Sequence, residues 1–223
     1  MDMKIKTLLL AFVSCFGMLD GYAQNGYELS AGERATIEQR VIEKIDDFLS
    51  YLPDIAAKSD KSKEEKQLAL KYIDETLELF IGEGNEYQYK DQAGNWRWHE
   101  AVKMQTTSRG RISRTQPMKQ YLRRLMALPY HTVEIDTCAA VRINKNLHPT
   151  GDGRYIGSAY FIQAFRATRD RRLVVNDRDA KQVTIYVVSE LVDGPTGPEI
   201  VWIIKLGDVR VITDWNDNYY YNQ

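Results

Sequence analysis

The sequence predicts an α+β fold in which three helices cover one face of a strongly bent antiparallel sheet. Three observations lead there. The stretch Thr132–Ile143, TVEIDTCAAVRI, places Val133, Ile135, Thr137, Ala139, Val141 and Ile143 on one parity and Glu134, Asp136, Cys138 and Arg142 on the other. That period of two marks a strand with one face on a core. Upstream, apolar residues recur at helical spacing. Downstream, only long extended stretches follow. At roughly 3.3 Å per residue the Thr132–Ile143 strand would run about 40 Å, so it must bend.

The first helix opens at Ser30-Ala31-Gly32-Glu33, a capping box in which hydroxyl and carboxylate satisfy free N–H groups reciprocally. Ile37, Val41, Ile45, Phe48 and Leu52 form its stripe, and Pro53 is expected to end it. A charged linker, Lys58–Lys63, leads to a second capping box, Ser62-Lys63-Glu64-Glu65. The second helix carries Leu68 or Ala69, then Tyr72, Ile73, Leu77 and Phe80, and is expected to stop at Gly82. The two helices are expected to pair antiparallel. Tyr87 and Tyr89, a turn at Asp91–Asn95, then Trp96 and Trp98 read as a hairpin reaching Thr106. A third helix is expected from Thr115 to Ala127, with Met118, Tyr121, Leu122, Leu125 and Met126 inward and Pro129 beyond it.

After the Thr132–Ile143 strand come a turn at His148–Gly153 and a strand over Tyr155–Ala167 that is apolar on both parities. Such a strand is covered on both faces, or meets a core on one side and a cavity or partner on the other. Arg169–Asp179 reads as a charged connection, Gln182–Val192 as a strand, Asp193–Pro198 as a loop and Ile200–Thr213 as the last strand. Its apolar parity flips at Gly207-Asp208, the signature of a bulge. The Tyr219–Tyr221 tail is expected to be loosely held.

This order of elements resembles the NTF2-like fold, a cone of three helices and a bent sheet around a pocket. The resemblance spans about residues 30–214. It rests on element order, on the helix before the long strand, and on the closing run from Val201 to Val209. It implies fold more than function, because such cones host isomerases, dehydratases, hydrolases and non-enzymatic binding modules.

Composition narrows the functional classes. An apolar fraction of 43% and a charged fraction of 27% suit one globular domain, residues 24–223, behind a leader. A net charge of −1 argues against nucleic-acid binding. Lys4 and Lys6, the apolar run from Leu8 to Val13, and Gly21-Tyr22-Ala23 together make residues 1–23 a secretory signal peptide cleaved after Ala23. The expected location is periplasmic or secreted. The alternative is a lipoprotein anchored at Cys15, because Val13-Ser14-Cys15 loosely matches a lipobox. The apolar run falls short of the about 20 residues of a spanning helix, so no transmembrane segment is expected in the mature chain. Cleavage leaves Cys138 alone, without a disulfide, and it is expected as a packing residue.

No catalytic constellation emerges. His99, His131 and His148 are far apart, so no metal and no cofactor is expected. Asn176-Asp177-Arg178-Asp179 reads as a solvated turn. Acid–base chemistry in a cone pocket would fall to Asp136, Tyr160, Tyr186 or His131, with Glu134 on the same face as Asp136. Lys103, Arg109, Arg111, Arg114, Lys119, Arg123 and Arg124 carry no acid among them, whereas acids outnumber bases from Glu28 to Glu78. The basic segment is expected to face those helices. Otherwise Arg111, Arg114, Arg123 and Arg124, with Trp96 and Trp98, would bind an anionic or glycan ligand. The leading expectation is an exported non-catalytic NTF2-like binding or assembly module. Its partner is a protein, a small ligand, or a second copy docked through the sheet face. The alternatives are a small periplasmic isomerase, dehydratase or hydrolase, and an anion- or glycan-binding protein.

Overall fold

A computed structural model describes residues 29–56, 61–90, 95–108, 111–130, 132–143, 147–150, 154–195 and 197–213. The signal segment, Cys15, the turn at 91–94, Arg109, His131 and the tyrosine tail lie outside these, as do the side chains of Asp136 and Cys138.

Helix α1 spans Ala31–Ala56, and the Ser30 capping box is formed: the Ser30 N–H donates to Glu33 Oε2 at 2.9 Å and the Glu33 N–H to Ser30 Oγ at 3.3 Å. The helix does not end at Pro53 but continues to Ala56. Proline this close to the C-terminus removes one hydrogen bond. The extra turn buries Ile55 and Ala56 completely, which offsets that loss. Helix α2 spans Lys63–Glu78 behind the Ser62–Glu65 box. It packs on α1, with the Tyr51 and Tyr72 rings 5.8 Å apart. It stops one turn before Gly82. Phe80 turns extended and bridges to Leu206, and Gly82, at φ 72, lies in a 3-10 turn, Ile81–Gly84.

Strands β1 (Tyr87–Lys90) and β2 (Trp96–His99) form a separate two-stranded sheet, and β2 ends at His99, short of Thr106. The large sheet contains β3 (Lys103–Ser108), β4 (Arg111–Pro117), β5 (Thr132–Ile143), β6 (His148–Pro149), β7 (Tyr155–Arg169), β8 (Arg172–Gly194) and β9 (Gly197–Val211). Its order is β4-β3-β9-β8-β7-β5, with β6 on β7. It is strongly curved and does not close. Strands β5, β7, β8 and β9 are antiparallel neighbours, as the alternation implied, and β3 meets β9 in parallel at Met104 and Val209.

Two segments differ from expectation. Residues 115–117 do not open a helix; they end β4, and helix α3 spans Met118–Met126. Strand β4 is an edge strand in which only Gln116 is buried, so it carries no apolar alternation. Arg169–Asp179 is not a loose connection either. Strands β7 and β8 run on to a two-residue turn at Asp170 and Arg171, with φ of 51° and 61°. Left-handed backbone at both positions suits a tight hairpin.

The core lies between the helices and one face of the sheet. Ile37, Val41, Ile45, Phe48 and Leu52 from α1 meet Phe161, Val183, Ile185, Val187, Ile204 and Leu206 from the strands, with Met118 and Leu122 of α3. Along β7, Tyr155, Ala159, Phe161 and Ala167 are buried, while Ile156, Tyr160 and Ile162 on the outer face are only partly covered.

The expected bulge occurs where the parity flips. Val183 pairs with Val209 and Ile185 with Leu206, so Gly207 and Asp208 together oppose Thr184. A Cβ on Gly207 would come within 2.6 Å of the Tyr186 ring and 3.0 Å of Thr184 Cβ. Gly207→Ala is expected to cost about 1–3 kcal/mol through overpacking, read as a lower urea midpoint at unchanged slope.

Candidate functional site

The inner, helix-covered face of the sheet is apolar along most of its length and becomes polar at one end. On β8 the inward positions run Val187, Ile185, Val183, then Lys181 and Asp179. Directly across the ladder on β7 stand Phe161, opposite Lys181, and Gln163, opposite Asp179. Strand β3 closes in from the other side. Thr107 Oγ1 donates to Asp179 Oδ2 at 2.5 Å, and Lys181 Nζ donates to the Gln105 carbonyl at 3.3 Å.

Lys181 and Asp179 form an ion pair, Nζ to Oδ2 3.6 Å, with side chains 2% and 17% exposed. Burial holds the Lys181 ammonium below the usual lysine range, and the Asp179 charge partly opposes this. Tyr121, from the buried stripe of α3, feels the charge of the same carboxylate. Burial, with the Asp179 charge added, pushes its phenol well above the ordinary tyrosine value.

Two amide atoms on this face are buried and make no hydrogen bond: Gln163 Nε2, beside Asp179, and Gln116 Oε1, on β4 opposite Met104. A buried unsatisfied polar atom costs about 1–3 kcal/mol, so such atoms are rare without a use. A buried amine paired with a carboxylate, with a buried amide donor opposite that carboxylate, offers donors and acceptors to a small polar molecule.

The residues anticipated from sequence lie elsewhere. Glu134 is on the outer, exposed side of β5, 3.8 Å from Arg166. Asp136 is on β5, with its backbone opposite Ala164. Tyr160 is half-buried on the outer face of β7 and accepts from Gln182 Nε2 at 3.2 Å. Tyr186, on the outer face of β8, has its hydroxyl 3.1 Å from that of Tyr87, and burial raises both phenols.

The aromatic hairpin splits by parity. Tyr87 and His99 stack at 5.0 Å and hold the β1–β2 sheet against Tyr186, whereas Trp96 and Trp98 are 64% and 69% exposed. Arg111 and Arg114 are exposed on the edge strand β4, and Arg123 and Arg124 on the solvent side of α3. On the acidic helices Lys44 pairs with Asp47 and Lys71 with Glu75; Lys205 pairs with Glu83 of the 3-10 turn, and Lys103 with Glu100.

A surface concavity of about 660 Å³ lies between α1, α2 and β9, lined by Asp47, Tyr51, Glu75, Glu78 and Lys205 among others. Among the described residues no group of three or more His, Cys, Asp or Glu side chains could hold a metal ion. No helix among them is long and apolar enough to cross a membrane.

The sequence does contain a signal for the polar cluster. Asp177, Asp179 and Lys181 continue the odd parity of Val183, Ile185 and Val187, so they belong to one strand and one face. The charge of Asp177 and Asp179 points to a solvated turn, but the strand follows the periodicity. Comparison with protein-family models, curated proteins and solved structures finds no match.

Proposed function

We propose that the chain is an NTF2-like cone, exported and trimmed after Ala23, that acts as a non-catalytic binding module for a small polar ligand on its inner sheet face. The cone reading is supported by the two helices, the intervening helix α3 and the four long antiparallel strands in their order. The binding reading rests on one observation: Gln163 Nε2 is a buried donor without a partner, next to the Lys181–Asp179 pair. A ligand acceptor there would satisfy a buried donor that the protein's own groups leave without a hydrogen bond.

Thermal unfolding of the mature chain against a panel of small amides, carbonyl compounds and carboxylates tests this. A ligand at about 100 times its Kd adds about 2.7 kcal/mol, or several degrees in Tm at this chain length. Gln163→Leu is expected to abolish that shift while leaving the protein folded. A panel without a single stabiliser, or shifts equal in wild type and Gln163→Leu, would rule the site out.

A second reading, a small isomerase, dehydratase or hydrolase, is favoured by the buried Lys181–Asp179 pair, whose ammonium burial holds below its usual range. It differs in outcome, because a bound compound would be recovered chemically altered.

A further inference from the structure

We propose that the tip of the β7–β8 hairpin docks the protein on an anionic lipid surface, with its arginines on the headgroups and two aliphatic side chains at the acyl boundary. The tip is exposed where the inner face of the sheet is covered, so the two sites stand or fall separately.

Beyond the pair Ala167 and Val175 the hairpin leaves the core. Ala167 is 1% exposed and Val175 packs against the core, whereas every residue from Arg169 to Val174 is exposed. The register shifts there, so Leu173 and Val174 together oppose Thr168, and they are 57% and 50% exposed. Two adjacent aliphatics standing in water on a projecting end gain by entering an apolar phase. Arg169, Arg171 and Arg172 lie beside them, with one acid, Asp170. Arg169 is held in place: its Nε donates to the Pro129 carbonyl at 3.2 Å, and its guanidinium lies 6.0 Å from the Tyr130 ring centroid.

The turn itself adds an independent observation. A tight turn with two left-handed positions favours asparagine and glycine, yet Asp170 and Arg171 fill it at φ of 51° and 61°. Arginine there bears a strain that glycine would not, of the kind kept where a side chain has a use.

Shape selects the partner. A specific protein interface takes roughly 20–30 residues from each side, far more than Arg169–Val174 supply. A bilayer needs no matching concavity: it accepts cations at its headgroups and short apolar side chains just below them. The whole chain carries a net charge of −1, so the attraction is local to the tip rather than global.

Cosedimentation of the mature protein with vesicles of phosphatidylglycerol and phosphatidylcholine in equal parts, and of phosphatidylcholine alone, tests this. Binding to the mixed vesicles is expected at low salt and weakens as salt rises; none is expected to phosphatidylcholine. Arg172→Ala and Arg171→Gly are each expected to lower partitioning about fivefold, the worth of one basic residue near an anionic surface. Arg171→Gly is also expected to hold or raise Tm, because glycine takes that φ freely, so its loss of binding is not unfolding. Leu173→Ser should lower partitioning several-fold. Lys71→Ala removes an equal charge from α2, where Lys71 is 69% exposed, and should leave partitioning within about twofold. No binding to the mixed vesicles, or equal losses from Lys71→Ala and Arg172→Ala, overturns the proposal. So does unchanged partitioning of Leu173→Ser. Binding to immobilised polyglutamate without binding to vesicles also overturns it, and assigns the tip to an acidic protein.

Discussion

Lys181→Met is expected to lower the unfolding free energy by about 3 kcal/mol, near the low end for breaking a buried ion pair by removing one partner. The loss comes less from the missing attraction than from what remains. Asp179, 17% exposed, keeps its charge and its Thr107 hydrogen bond but loses the nearby cation. Asp179→Asn in the same background removes the stranded charge, so the double variant is expected to recover more than half of the loss.

Alkaline pH gives a separate signature. Burial places the native Lys181 pKa below its unfolded value of about 10.4. Between those two values the unfolded chain binds more protons, so the Lys181 contribution to stability rises with pH across that window. The wild type should therefore gain on Lys181→Met as pH climbs from neutral towards about 10. Subtracting the two curves cancels the tyrosines they share. Urea unfolding of the three proteins decides the matter. A single variant within about 0.5 kcal/mol of wild type would show that the pair is not buried as described.

Phe80→Ala is expected to cost about 3–5 kcal/mol, the usual range for deleting a fully buried ring. Phe80 is 0% exposed. Its ring meets Phe48 edge-on, with centroids 5.2 Å apart. Its backbone bridges to Leu206, and the Leu206 N–H donates to the Leu79 carbonyl at 2.9 Å. Truncation therefore opens a cavity where α1, the end of α2 and β9 meet. For a chain of this length each kcal/mol lowers Tm by about 2–4 °C, so a fall of about 6–20 °C is expected. Leu68→Ala is the control: Leu68 is 47% exposed, and its loss should stay within about 0.5 kcal/mol. Equal effects from the two would contradict the burial of Phe80 and the exposure of Leu68.

The sequence by itself determined the parts that depend on neighbours along the chain. Both capping boxes form because hydroxyl and carboxylate are three residues apart. The α1 and α3 stripes are buried because 3.6-residue spacing puts them on one side, and the bulge falls at Gly207-Asp208 because the parity changes there. Tertiary structure decided the rest. Strand β4 has no readable pattern because an edge strand buries almost nothing, and α1 outlasts Pro53 only because Ile55 and Ala56 find a core. The polar cluster is the clearest case. Gln163 meets Asp179 through ladder register, and Thr107 reaches Asp179 across 72 residues because the curved sheet brings β3 to β8. Charge alone marks Asp179 and Lys181 for solvent. The curvature of the sheet, which brings Thr107 and Gln105 of β3 onto them, makes them interior, because burial depends on what folds over a residue rather than on its neighbours in the chain.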